Sequence, residues 1–257
     1  MKNVLVTGAN GQLGQCLQKL APFYKELDFI FKNSTDLNIT EILEIEQLFA
    51  NHRFDYCINC AAYTNVEQSE ITPEIAFKVN AEGVKNLALT CKKHQTFLIH
   101  ISTDYVFDGE KDEPYTVDDI PNPINEYGKS KLMGEKYVQE LMDDFSIIRT
   151  SWLYSEFGKN FYKTILQKAQ EGLKIKVTDN QLGCPTNASN LARYILDLII
   201  NDKKTHGIHH FTGPETMTWF DFAYKILKEN GLLNKTSLEI NHNIISETKR
   251  PKYSVLR

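Results

Sequence analysis

The chain has 257 residues, 42% of them apolar and 24% charged, enough to bury a sizeable core in one large α/β domain or in one domain with a small appended lobe. A formal net charge of −4 gives no electrostatic basis for nucleic acid or an acidic membrane as partner. No apolar run approaches the length of a membrane span.

The opening apolar stretch, Val4-Leu5-Val6, is too short for the core of a secretory signal. The five cysteines (Cys16, Cys57, Cys60, Cys91, Cys184) are odd in number and scattered, which fits reduced thiols and a cytoplasmic location.

The first expected strand, Val4–Thr7, runs into Thr7-Gly8-Ala9-Asn10-Gly11-Gln12-Leu13-Gly14, followed by a helix over Gln12–Leu20. Glycines in a G-x-x-G-x-x-G spacing between strand and helix point to a dinucleotide site. Gly8 permits the tight turn, Gly11 lets the backbone approach a pyrophosphate, and Gly14 allows helix to pack on strand. Free N–H groups at the helix start then face the phosphates, so Asn10, Gln12 and Leu13 join the three glycines as candidate cofactor contacts.

A second strand, Asp28–Phe31, ends in Lys32-Asn33 without the acid that reads an NAD ribose. This favours NADP(H), with NAD(H) as the alternative. Asp36 and Leu37 open the next turn and are expected under the adenine.

A helix over Glu41–Asn51 leads to a third strand, Tyr56–Asn59, and then to Cys60-Ala61-Ala62-Tyr63. Ala61, Ala62 and Tyr63 are expected where the cofactor crosses the sheet edge. Cys57 and Cys60 form a C-x-x-C, but at a strand end rather than a helix start, so they read as small strand residues.

A helix over Pro73–His94 precedes a fourth strand, Phe97–Ser102, which delivers Thr103 to the carboxyl edge of the sheet. A helix over Glu126–Met142 begins with Tyr127-Gly128-Lys129-Ser130-Lys131, and a fifth strand follows at Ser146–Arg149. Tyr127 and Lys131, four apart, share one helix face. An ammonium beside a phenol is expected to lower a pKa that is normally ~10, making Tyr127 a usable proton donor. Thr103 then orients a ketone oxygen, Tyr127 protonates it, and Lys131 holds the cofactor ribose while a hydride arrives from the nicotinamide.

Beyond Trp152 the pattern changes to helices over Asn160–Glu171, Ala188–Asn201 and Thr218–Asn230, with short strands at Ile175–Val177 and Gly207–Phe211. The expected architecture is a doubly wound, Rossmann-type parallel sheet with a small C-terminal substrate lobe. Residues 1–152 form the dinucleotide-binding domain, and 153–257 form a lobe that is mainly substrate-binding and interleaved with the first. His209 and His210 are adjacent on a strand and point to opposite faces, so no metal site is assigned to them.

With the glycine motif and the Tyr127/Lys131 pair in place, Ala61-Ala62-Tyr63-Thr64, Ser102-Thr103-Asp104-Tyr105-Val106-Phe107-Asp108-Gly109 and Arg149-Thr150-Ser151-Trp152 follow in family order. With Asp179-Asn180-Gln181-Leu182-Gly183-Cys184-Pro185-Thr186 and Arg250-Pro251, the chain resembles the dTDP-4-dehydrorhamnose reductases over essentially its whole length. The resemblance implies reduction of the 4-keto group of dTDP-4-dehydro-L-rhamnose to dTDP-L-rhamnose. By matching position it makes Thr103, Tyr127 and Lys131 catalytic and places Asp104 and Trp152 in the sugar pocket, with Val66 and Asn160 as further substrate candidates. Trp152 has a second reading, as a core aromatic capping the sheet.

Relatives continue past the Arg-Pro segment with another helix, whereas this sequence stops at Arg257, so a cut or abbreviated lobe is expected. Some relatives are associated with Mg²⁺ at a subunit contact, but no carboxylate cluster here earns that ion. A homodimer is compatible with the resemblance. The alternatives are another nucleotide-sugar reductase, an epimerase on the same fold, or a dinucleotide-binding regulatory subunit resembling the methionine adenosyltransferase β subunit.

Overall fold

The computed structural model of the chain describes residues 1–241 and 248–257. Its strands are β1 (Lys2–Thr7), β2 (Leu27–Lys32), β3 (Tyr56–Asn59), β4 (Phe97–Thr103), β5 (Phe145–Thr150), β6 (Leu153–Tyr154), β7 (Ile175–Val177), β8 (Leu182–Gly183), β9 (Thr186–Asn187), β10 (Gly207–His210), β11 (Met217–Thr218) and β12 (Leu238–Ile240). The helices are α1 (Gln12–Leu20), α2 (Ile42–Asn51), α3 (Val66–Ile71), α4 (Pro73–Phe77), α5 (Gly83–Lys93), α6 (Glu126–Leu141), α7 (Phe161–Gln170), α8 (Ala188–Ile200) and α9 (Trp219–Glu229).

Six strands make one parallel sheet in the order β10-β5-β4-β3-β1-β2. Val4, Leu5 and Val6 are wholly buried, as a strand covered on both faces requires. On one face Leu13 and Leu17 of α1 meet Leu191, Ile195 and Ile199 of α8. On the other, Ile45 and Phe49 of α2, Val84 and Leu87 of α5 and Val138 of α6 pack against Leu5, Cys57 and Leu98. From β1 the chain goes outward to β2 and then back across to β3. That reversal opens a crevice at the carboxyl ends of β1 and β3, where such folds bind ligands.

The sequence pattern places Ala188–Asn201 and Gly207–Phe211 with the lobe, yet α8 packs on α1 and β10 is hydrogen-bonded to β5, so both belong to the sandwich. The lobe proper is built from α7, α9 and the β7–β12 pair around Ile165, Phe222 and Ile226.

The single helix expected over Pro73–His94 is interrupted by a π-helical turn at Lys78–Glu82. The widened turn delivers Asn80, whose side chain accepts from Tyr63 N at 2.8 Å and donates to Tyr63 O at 2.9 Å and Ser130 Oγ at 3.0 Å. Gly134 of α6 abuts the Asn80 carbonyl so closely that a Cβ there would lie 2.2 Å from the oxygen. The irregular turn thus ties the loop after β3 to α6.

Residues Tyr253–Arg257 are anchored to the main body. Tyr115 N donates to Val255 O at 2.8 Å, Arg257 N donates to Tyr115 O at 2.9 Å, and Leu256 packs with Val106, Phe107 and Tyr115.

Candidate active site

The glycine loop is a close-packed cradle. Gly8 adopts φ +66°, and a Cβ there would sit 2.5 Å from Ala61 N, so the loop is pressed onto the segment after β3. A Cβ on Gly14 would meet Gly8 O at 2.5 Å, so Gly14 packs α1 against the loop itself. Gly11 caps α1 with no side-chain hydrogen bond, leaving the first-turn N–H groups without a side-chain acceptor. Asn10, Gly11, Gln12 and Leu13 line a cavity of about 570 Å³ at the carboxyl edge of the sheet.

The far wall of that cavity carries the other candidates. Thr103 ends β4, Asp104 follows, and Tyr127 and Lys131 face them from α6. Asn125 starts α6 by accepting from Gly128 N at 2.8 Å while donating to Lys249 O at 3.0 Å. Gly128 explains the close approach of helix to strand end, because a Cβ there would be 2.1 Å from Tyr105 O. Tyr127 packs edge-on against Tyr105 with ring centroids 5.8 Å apart.

The electrostatics differ from the sequence expectation. Burial pushes the Tyr127 phenol up to about 12, the Thr103 hydroxyl pulls it back, and Asp104 raises it further. The expected lowering by Lys131 does not occur: the ammonium is drawn aside, donating to Ile101 O at 2.7 Å. Lys131 is 2% exposed, and burial lowers its own pKa to about 8 against opposing pulls from Glu135 and Cys60.

Burial also drives Asp104 up to about 6, opposed by the Ser254 and Thr103 hydroxyls. Its Oδ1 accepts from Thr103 Oγ1 at 3.1 Å, and its Oδ2 is buried without a hydrogen-bond partner among the described residues. One turn past Lys131, Glu135 takes Arg149 of β5 in a fully buried pair (Nη2–Oε2 2.7 Å) and accepts from Ser102 Oγ. Losing one partner of such a pair strands a charge in the core, so it fixes α6 on β4 and β5.

Trp152 unites both of its readings. It lines the cavity, and it is clamped by Trp219, whose ring is stacked at 3.5 Å and 3°, and by Gly183, where a Cβ would lie 2.6 Å from the indole. Val66 also lines the cavity. Asn160 does too, but its amide is committed: Nδ2 donates to Gln12 Oε1 (2.9 Å), Ser155 O (2.8 Å) and Phe157 O (3.0 Å), and Oδ1 caps α7.

Ala62 lines the cavity, whereas the backbone N–H groups of Ala61 and Tyr63 donate to the side-chain oxygens of Asn59 and Asn80. Leu37 is a correction, because it is 4% exposed and packs in the core beside Ile45, so its side chain offers no surface to an adenine. Asp36 is exposed and turns its carboxylate back to Asn33 N at 3.4 Å.

Sequence reasoning passed over a second cavity of about 510 Å³, which shares Tyr105, Phe161 and Trp219 with the first. Lys176, Lys249, Arg250 and Lys252 line it, and no carboxylate does among the described residues. Arg250 also pairs with Glu67, beside Val66, and joins the C-terminal segment to α3. These cations come from separate parts of the chain, so no local motif announces them. Among the described residues no group of three His, Cys, Asp or Glu side chains is placed to hold a metal ion.

The chain is 37% identical over 233 residues to a dTDP-4-dehydrorhamnose reductase of Aggregatibacter actinomycetemcomitans, covering 89% of this chain and 79% of that one. A crystal structure of a dTDP-4-dehydrorhamnose reductase from Clostridium acetobutylicum superposes with a TM-score of 0.93 at 41% identity, covering 99% of this chain and 90% of that one. One from Bacillus anthracis, in complex with NADP, gives 0.94 at 38% identity and covers 100% and 91%. The family model described as the RmlD substrate binding domain matches residues 1–257, and the chain belongs to that family.

Proposed function

We propose that this chain reduces the 4-keto group of dTDP-4-dehydro-L-rhamnose to dTDP-L-rhamnose with NADPH. The observation that carries the reading is a pair of adjoining cavities: one bears Thr103, Tyr127 and Lys131, and the other, cation-lined, shares the wall of Tyr105, Phe161 and Trp219 with it. The sugar fits the first, and a nucleoside diphosphate fits the second, where lysines and an arginine meet phosphate oxygens.

The cofactor reading rests on the Gly8–Gly14 cradle, whose missing Cβ atoms and uncapped helix start suit a pyrophosphate. Lys32, at the end of β2 directly beside Thr7, suits a 2′-phosphate, and the NADP in the Bacillus anthracis relative agrees. When bound, the reduced nicotinamide supplies a hydride.

The chain supplies geometry and a proton. Thr103 turns its hydroxyl from Asp104 to the ketone oxygen, and Tyr127 gives that oxygen its phenolic proton. The raised pKa of Tyr127 keeps it in the protonated state this step needs. Lys131 holds the cofactor ribose and supports the phenolate left behind. Trp152, backed by Trp219, and Val66 bound the sugar, with residues 1–152 contributing mainly the cofactor half and the lobe mainly the substrate half.

The test is product analysis after incubation with the 4-keto sugar nucleotide and NADPH or NADH. One NADPH consumed per product, at least as fast as with NADH, is expected. An epimerase would recycle its cofactor instead, and folded protein that consumes none would refute the reductase reading.

A further inference from the structure

A buried chain of polar side chains runs from Thr7 on β1 through Asn59 and His100 to Lys131. The Asn59 amide oxygen is identified by its partners: Ala61 N–H, which can only donate, meets it at 3.1 Å, and Thr7 Oγ1 donates to it at 2.7 Å. The amide nitrogen is therefore the atom 3.0 Å from His100 Nδ1, and Nδ1 accepts. His100 has no solvent exposure, and burial is the chief cause that holds its pKa well below the usual value, whether or not Lys131 is charged. A neutral imidazole that accepts at Nδ1 carries its proton on Nε2.

That Nε2–H faces Lys131 Nζ at 3.4 Å. An ammonium offers only donors, so it meets the ring N–H donor to donor. A neutral amine accepts this N–H with its lone pair and keeps its own bond to Ile101 O.

The other groups around Nζ do not favour the neutral amine. Cys60, at the end of β3, and Glu135, on the same helix, both pull the lysine's pKa up. Burial holds the Cys60 thiol protonated, and Glu135 is committed to Arg149 of β5. Tyr127 lies one turn earlier on the same face and stays a neutral phenol.

We propose that His100, its tautomer locked by Asn59, is a positioning residue that favours the neutral amine of Lys131, so that the amine becomes the main form in the ligand-free protein at mildly alkaline pH. At such pH cofactor binding is then coupled to proton uptake from solvent, since ribose oxygens offer Nζ acceptors; this last step alone rests on the cofactor reading above.

The test is NMR on the ligand-free protein. The ¹⁵N resonances of His100 report its tautomer, and the ¹³Cε resonance of Lys131, assigned by its loss in Lys131→Arg, reports the lysine's titration. We expect a proton on Nε2 and a Lys131 midpoint near 8.

His100→Phe keeps a buried ring but deletes the N–H, and should raise the midpoint by roughly half a unit or more, the size of one neutral hydrogen bond. His100→Gln should hold the midpoint: its amide nitrogen stands as far from Cβ as Nε2 does, and the Asn59 nitrogen demands its oxygen on the other side. A purely structural role would move both variants alike.

A proton on Nδ1, a wild-type midpoint in the ordinary lysine range, or equal effects of the two substitutions would overturn the proposal. Should His100→Phe not fold, the tautomer, the wild-type midpoint and His100→Gln still decide it. Absence of NADPH turnover would refute the reductase reading and leave these ligand-free measurements decisive.

Discussion

Gly128→Ala should separate the position of Tyr127 from its chemistry. The added Cβ would lie 2.1 Å from Tyr105 O and 3.0 Å from Pro123 Cβ, whereas real contacts of this kind stay beyond 3.0 Å. Neither neighbour is a flexible tip: one is backbone and the other a proline ring, so the start of α6 must move by about 1 Å. Tyr105 sits in the turn directly after Thr103, which makes the displacement open the gap between Tyr127 and Thr103.

A misplacement of about 1 Å at reacting groups costs roughly 10²-fold in rate. The overpacking itself costs about 1–3 kcal/mol, partly offset by about 1 kcal/mol from replacing a helical glycine. The expected outcome is therefore a kcat about a hundredfold lower with only a modest drop in Tm and a near-normal Kd for NADPH. Gly134→Ala is the control: its Cβ would be 2.2 Å from Asn80 O, an equal clash aimed at the π turn instead. It should lose comparable stability with a smaller loss of kcat. Wild-type kcat in Gly128→Ala would show that this contact does not set the site.

Tyr127→Phe keeps the ring against Tyr105 and should lower kcat by about 10²–10⁴-fold with fold and NADPH affinity retained; near wild-type turnover would place the proton donor elsewhere. Thr103→Val keeps shape but removes the hydroxyl, so turnover should fall while NADPH affinity holds, and equal loss of both would assign Thr103 to the cofactor or the fold.

Asp104→Asn tests the buried carboxyl by its pH dependence. The folded-state pKa of about 6 is above the ordinary carboxylate value, so the folded protein binds this proton more tightly than the unfolded chain. Wild type should therefore lose stability relative to Asp104→Asn as pH rises from about 4 to about 6, by roughly 2–3 kcal/mol in total. A Tm difference constant across that window would show that Asp104 is not desolvated.

The sandwich was legible because each strand is a short apolar run and each helix a periodic one. The glycine loop and the Tyr127/Lys131 pair were legible because their geometry is local: one turn and one helix face. Trp219 was not, since its meaning comes from stacking on Trp152 of a distant segment, and its immediate sequence reads only as a helix start capped by Thr218. The π turn at Lys78–Glu82 escaped for a similar reason: it is stabilised by Asn80 reaching Tyr63 and Ser130, tertiary bonds that no helical periodicity encodes. The core packing of the Leu37 side chain was not legible because a leucine after a turn looks alike whether its side chain faces a ligand or the core.

The misjudged pKa of Tyr127 has a deeper cause. Pairing Tyr127 with Lys131 by helical spacing treats both as surface groups, where charge attraction dominates. Here burial dominates, and it acts on the two in opposite directions, raising the phenol and lowering the amine. Both shifts move the groups towards neutrality, so the ligand-free site holds a neutral phenol beside a lysine that gives up its proton more readily than an exposed one. For a reductase this is the useful direction. A neutral phenol is the form that can give a proton to a developing alkoxide, and the phenolate then formed is the charge for which Lys131 waits one helical turn away. The full ion pair is thereby reserved for the reacting state, where its stabilisation lowers the barrier, and is withheld from the resting protein, where it would only tighten the ground state.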